Sequence, residues 1–150
     1  MSASKGTGVA ACIAASLLAA SLLSATAARA DGALAVGFPA NVSKDGFAYG
    51  FSHNIRTPAE ARREALDACR TTTAAAQSAK SLCMVVGTFS NECVAVAMDP
   101  KNGTPGVGFA IAADRATAEE RALAFCTATE GVDRRGACKI DKSACDRRRD

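Results

Sequence analysis

Two valine-rich runs, Met84 to Phe89 and Val94 to Ala97, flank the polar stretch Ser90-Asn91-Glu92, and a cysteine opens each run at Cys83 and Cys93. Branched apolar residues bounded by turn formers are the pattern of strands, so residues 83–98 are predicted to form a central hairpin. Upstream, Ala33 to Gly37 is a first short apolar run, and Phe47-Ala48-Tyr49-Gly50-Phe51 alternates aromatic and small residues. That two-residue period suits a half-buried strand. The intervening loop ends in Asp45-Gly46, a strong turn signal, so these two runs are predicted to pair as a hairpin. Thr57-Pro58-Ala59-Glu60 then opens a helix: Thr57 can cap free amides, Pro58 suits the first helical position, and Glu60 can complete a capping box. Along AEARREALDACR, Ala61, Ala65, Leu66 and Cys69 fall on one side, with Arg62, Arg63 and Asp67 largely toward solvent.

The same order returns in the second half. Ala33-Leu34-Ala35-Val36 corresponds to Cys93-Val94-Ala95-Val96, and Val107-Gly108-Phe109-Ala110-Ile111 matches residues 47–51. Asp114 or Thr117 can cap a second helix whose Ala118, Ala122, Leu123 and Cys126 match Ala61, Ala65, Leu66 and Cys69. Cys138-Lys139-Ile140 parallels Cys83-Met84-Val85. Each half reads as hairpin, helix, strand, and the helical alanines let a helix sit close on a sheet.

The start of the chain changes the setting. Lys5, an apolar run from Val9 to Leu23, and the small-residue ending Ala28-Arg29-Ala30 are the parts of a secretory signal peptide, with cleavage expected after Ala30. The apolar run is shorter than the roughly 20 residues needed to cross a bilayer, so no transmembrane segment is expected after cleavage. Val9-Ala10-Ala11-Cys12 resembles a lipoprotein cleavage site, but most of the apolar run follows Cys12, which argues against a lipid anchor. Removing residues 1–30 takes away Lys5 and Arg29 and no acid, leaving 16 basic and 15 acidic residues. A near-neutral chain with one Tyr and no Trp lacks the basic face and stacking residues of a nucleic-acid binder. Much of its apolar content is alanine, a thin source of hydrophobic energy, so covalent reinforcement is expected.

Cys69, Cys83, Cys93, Cys126, Cys138 and Cys145 remain after cleavage, an even set that points to disulfides in an oxidising compartment. The duplication selects the pairs. In each half a helix-end cysteine precedes a strand-start cysteine, which pairs Cys69 with Cys83 and Cys126 with Cys138; Cys93 and Cys145 are left to tie the C-terminal tail to the centre. Closing the first of these loops contributes about 3 kcal/mol by restricting the unfolded chain. A zinc site is disfavoured because no CxxC pair is present and exported cysteines oxidise.

The Ala-Leu-Ala-Val start, GFAYGF, the EALDAC helix, CMVVGTFSNECVAVAM and the ALAFC helix together resemble the domain-of-unknown-function 4189 family of small exported bacterial proteins. The resemblance spans essentially the whole mature chain. It implies a periplasmic or secreted protein with paired cysteines, and it brings no catalytic residues. Relatives often place tryptophan in the hairpin strands where this chain has Phe109 or Tyr49.

Candidate chemistry is sparse. His53, the one histidine, lies in Ser52-His53-Asn54-Ile55-Arg56 between a predicted strand and helix, where a general base could act and amides could hold an anion. No hydrolase motif accompanies it. Asp99, Asn102 and Glu92 lack the alternation of a calcium loop, and a turn on Asn102-Gly103 accounts for that stretch better. Arg134-Arg135 and Asp146–Asp150 form basic clusters that fit a solvated surface or contact with anionic lipid or envelope polymer. The chain is expected to form one α+β domain over residues 31–150, built from units at about 31–89 and 93–145. The expected architecture is an antiparallel sheet from both units, two helices on one face and three disulfides. The expected function is that of an exported, non-enzymatic binding module acting on an unknown protein or envelope component, with no cofactor and no metal. The competing reading is a small hydrolase or enzyme-inhibitor-like protein that uses the loop holding His53 and Arg56.

Overall fold

The computed structural model describes residues 31–146. The signal segment expected at 1–30 and residues 147–150 of the basic tail lie outside the described residues. Strand β1 (Asp31–Gly37) is the centre of a three-stranded antiparallel sheet, flanked by β2 (Ala48–Ile55) and β3 (Met84–Phe89). Strand β4 (Cys93–Met98) is the centre of a second, flanked by β5 (Val107–Ala112) and β6 (Lys139–Cys145). The loop after β1 holds a short helix α1 (Val42–Asp45), capped by the Asn41 side chain and ended by Gly46 at φ 74°. Helix α2 (Pro58–Thr71) and the short α3 (Gln77–Lys80) connect β2 to β3, and α4 (Arg115–Thr129) connects β5 to β6.

The α+β class and three disulfides hold, but the single sheet divides into two that pack face to face. Leu34, Val36, Phe47, Phe89, Val94, Val96, Val107 and Ala144 fill the space between them. Each helix covers the outer face of its own sheet, so the helices lie on opposite sides of the molecule and not on one face. Ala33, Ala35 and Ala48 meet Ala61, Ala65 and Cys69 of α2; Ala95, Ala97 and Ala112 meet Ala118, Ala122 and Cys126 of α4. The reason lies in β1 and β4. Each sets small residues under a helix and Leu or Val between the sheets, and each is hydrogen-bonded on both edges, so both are central strands. The predicted hairpin at 83–98 is therefore a crossover: residues 90–92 carry the chain from the edge of one sheet to the centre of the other, with Asn91 at φ 57°.

Glycine sets how closely the helices approach. A Cβ at Gly50 would run into the Cys69 amide nitrogen and lie 2.6 Å from the Ala65 carbonyl oxygen. At Gly108 it would meet the Ala122 carbonyl oxygen and the Cys126 amide in the same way. Caps end the helices as residue chemistry requires. Thr57 Oγ1 accepts from Glu60 N at 3.2 Å and donates to its carboxylate at 3.1 Å, and of the two candidates for α4, Asp114 is the cap, accepting from Thr117 N at 2.9 Å.

Three cysteine pairs lie at disulfide distance: Cys69 with Cys83, Cys126 with Cys138, and Cys93 with Cys145. The first two join helix end to strand start with the same Cα–Cα separation, 6.0 Å. The third joins residues directly opposed on β4 and β6. Beside it, the buried Asp146 carboxylate accepts from the amides of Asn54 at 2.8 Å and Asn91 at 3.3 Å. Those are the two non-glycine residues with positive φ among the described residues. Asp146, expected in a solvated tail, thus clasps the end of β2 to the crossover.

Candidate functional site

Alternation along β2 and the residue just before it aims Phe47, Tyr49, Phe51 and His53 to one side. Their rings follow one another with centroids 5.9, 6.4 and 6.3 Å apart. Phe47 also stacks on Phe109 of β5 at 6.2 Å, Phe109 meets Phe125 of α4 at 5.9 Å, and Phe38 meets Phe47 edge-on at 5.7 Å. Five of the six phenylalanines, the one tyrosine and the one histidine thus form one continuous run of rings. Its middle, Phe47, is buried, and its ends reach solvent: Phe125 is 53% exposed, Phe38 45%, and His53 is exposed.

The run opens onto a trench between β2 and β6, the edge strands of different sheets. One part, of about 640 Å³, is lined by Tyr49 and Phe51, by Thr71, Thr72 and Thr73 at and beyond the end of α2, and by Asp141 and Lys142 of β6, among others. An adjoining part of about 590 Å³ shares Phe51, Asp141 and Lys142 and adds His53, Arg115 and Ser143. A bulge in β6 supplies the carboxylate. Val96 pairs with Lys142 and Ala97 with Ile140, leaving Asp141 as the extra residue, and bulges re-aim side chains in this way. The Tyr49 hydroxyl donates to Asp141 Oδ2. Burial first, then that hydrogen bond and the carboxylate charge, raise the Tyr49 phenol far above its ordinary value of 10.0.

The equivalent edge of the other pairing differs in chemistry. Strand β3 carries the matching bulge, since Leu34 pairs with Gly87 and Ala35 with Val85, leaving Val86 as the extra residue. There Ile111 of β5 packs so close to Gly87 that an added Cβ would lie 2.7 Å from its Cδ1. In the register that aligns the two bulges Val36 answers to Met98, so Tyr49 is matched by Val107: one edge thus bears a tyrosine, a carboxylate and a lysine where the other bears Val107, Val86 and Gly87.

Of the two residues that the sequence singles out for binding, His53 belongs to β2 and not to a loop, and it lines the trench; Arg56, exposed just beyond β2, lies outside the trench lining. The arginine at the trench is Arg115, whose guanidinium donates to the Ser143 hydroxyl at 2.7 Å. That hydroxyl donates to Glu119 at 2.6 Å. Asp99, considered for calcium, is buried and held by Arg134 through two hydrogen bonds of 2.8 and 2.7 Å. The Arg134 bonds keep the Asp99 carboxyl well below the usual carboxylate range. Glu130 lies within 4.8 Å of the Cys126 and Cys138 sulfurs, but those sulfurs are bonded to each other, and the carboxylate accepts from the amides of Cys138 at 2.6 Å and Gly136 at 2.9 Å. None of these groups is arranged as a metal centre. No helix among the described residues is long and apolar enough to cross a membrane.

A solved structure described as the NMR structure of Rv1813c from Mycobacterium tuberculosis is 23% identical to this chain, with 97% of this chain and 98% of that chain covered and a TM-score of 0.43. No curated protein matches. The family described as Domain of unknown function (DUF4189) matches residues 32–145, and the chain belongs to that family.

Proposed function

We propose that this protein is an exported binding module, non-enzymatic, which holds an envelope or extracellular component in the trench between β2 and β6. The observation that carries this reading is the run of rings that surfaces beside an open, partly polar trench. Binding sites combine apolar and aromatic lining with a few placed polar groups, and Tyr49, Phe51, Asp141 and Lys142 supply both. The three cysteine pairs and the N-terminal signal pattern support an oxidising compartment, periplasmic or secreted. The hydrolase alternative draws less support. No hydrogen bond joins His53 to Asp141 or Ser143; Asp141 accepts from Tyr49, and the Ser143 hydroxyl bonds Glu119 and Arg115.

Oxidised protein immobilised on a resin is expected to retain a component from envelope or secreted fractions, and Phe51→Ala with Lys142→Glu is expected to release it. Retention that survives both substitutions would place binding elsewhere. His53→Ala is expected to leave retention within about threefold of wild type, since the ring lies at the exposed end of the run.

A further inference from the structure

Resting on that reading, we infer that the trench takes a neutral, polyhydroxylated ligand, a saccharide segment, and not an anion, a cation or a lipid headgroup. The charge balance points this way. The larger part of the trench is lined by one carboxylate, Asp141, and one ammonium, Lys142, adjacent in the chain. A phosphate there would face the Asp141 carboxylate and a cation would face Lys142, whereas vicinal hydroxyls can donate to one and accept from the other.

The remaining lining fits the same chemistry. Tyr49 and Phe51 offer half-buried rings, which pack against the apolar C–H face of a sugar ring while its hydroxyls turn toward β6. The Tyr49 hydroxyl occupies Asp141 Oδ2, leaving Oδ1 to accept from a ligand. Threonines complete the wall. Thr71 donates its hydroxyl to Asp67 O at 2.7 Å and keeps its lone pairs, while Thr72 accepts from Ala74 N at 3.3 Å and keeps its proton. The volume of about 640 Å³ lies within the range of about 300–1,000 Å³ usual for small-molecule sites. The adjoining part, continuous through Phe51, Asp141 and Lys142, gives room for further sugar units along β2.

The chain's one tyrosine, with no tryptophan to obscure it, makes Tyr49 emission a reporter of the trench. The full oxidised protein is titrated with neutral tetrasaccharides (β-linked glucose, β-linked N-acetylglucosamine and α-linked glucose), with inorganic phosphate and with vesicles of anionic phospholipid. One neutral tetrasaccharide is expected to change Tyr49 emission saturably. Asp141→Asn and Lys142→Gln, both at exposed side chains, are expected to weaken it at least tenfold while leaving the disulfide map unchanged. Saturation by phosphate or vesicles with no response to any saccharide would overturn the ligand class while keeping the trench as a binding site. Retention of a component from envelope extract by protein whose Tyr49 emission answers to none of the pure probes would also overturn the ligand class. No response to extract or to any probe would overturn both readings.

Discussion

Single residues carry more than their sequence neighbourhoods suggest. Tyr49 and Asp141 are 92 positions apart, yet their contact defines the trench. Because the folded phenol holds its proton more tightly than the unfolded one, folding stability is expected to fall as pH rises above the ordinary value of 10.0. Absorbance titration reads this residue alone. The phenolate is expected to form only well above pH 10.0, and Asp141→Asn is expected to lower its midpoint, though burial, the larger cause, keeps it raised. Ionisation at the ordinary value in folded protein would mean that Tyr49 is solvated.

Among the elements, helix-on-sheet contact depends on residues that have nothing to pack. Gly50 and Gly108 let α2 and α4 rest backbone against strand, which the buried alanines at four-residue spacing permit. Gly50→Ala and Gly108→Ala are each expected to cost about 1–3 kcal/mol, read as a lower urea midpoint at unchanged slope. A neutral effect at either position would contradict that close approach. The helices, their caps and the order of the cysteines were legible because they depend on local spacing: Thr57 to Glu60, Ala61 to Ala65 to Cys69. The division into two sheets was not. A three-residue polar turn between valine runs reads as a hairpin, and what separates β3 from β4 is that β4 is occupied on both edges by β5 and β6, strands that follow it in the chain. His53 was identifiable as a candidate from its rarity. Its trench was not, because the opposite wall comes from β6 and from a bulge that exists only in the pairing with β4.

For the whole molecule, two sheets of the same strand order, each covered by one helix, form a four-layer sandwich. The Cys93–Cys145 bond and the Asp146 clasp fasten its C-terminal edge beside the trench. The two edges differ: Ile111 packs against Gly87 at one, and a tyrosine, a carboxylate and a lysine line an opening at the other. Binding at one edge and not its counterpart is the claim on which the functional account stands. Mapping amide chemical shifts of the oxidised protein as envelope extract is added tests it most directly. The perturbed amides are expected to cluster at residues 49–53 and 141–143; a cluster along β3 and β5 would contradict the account.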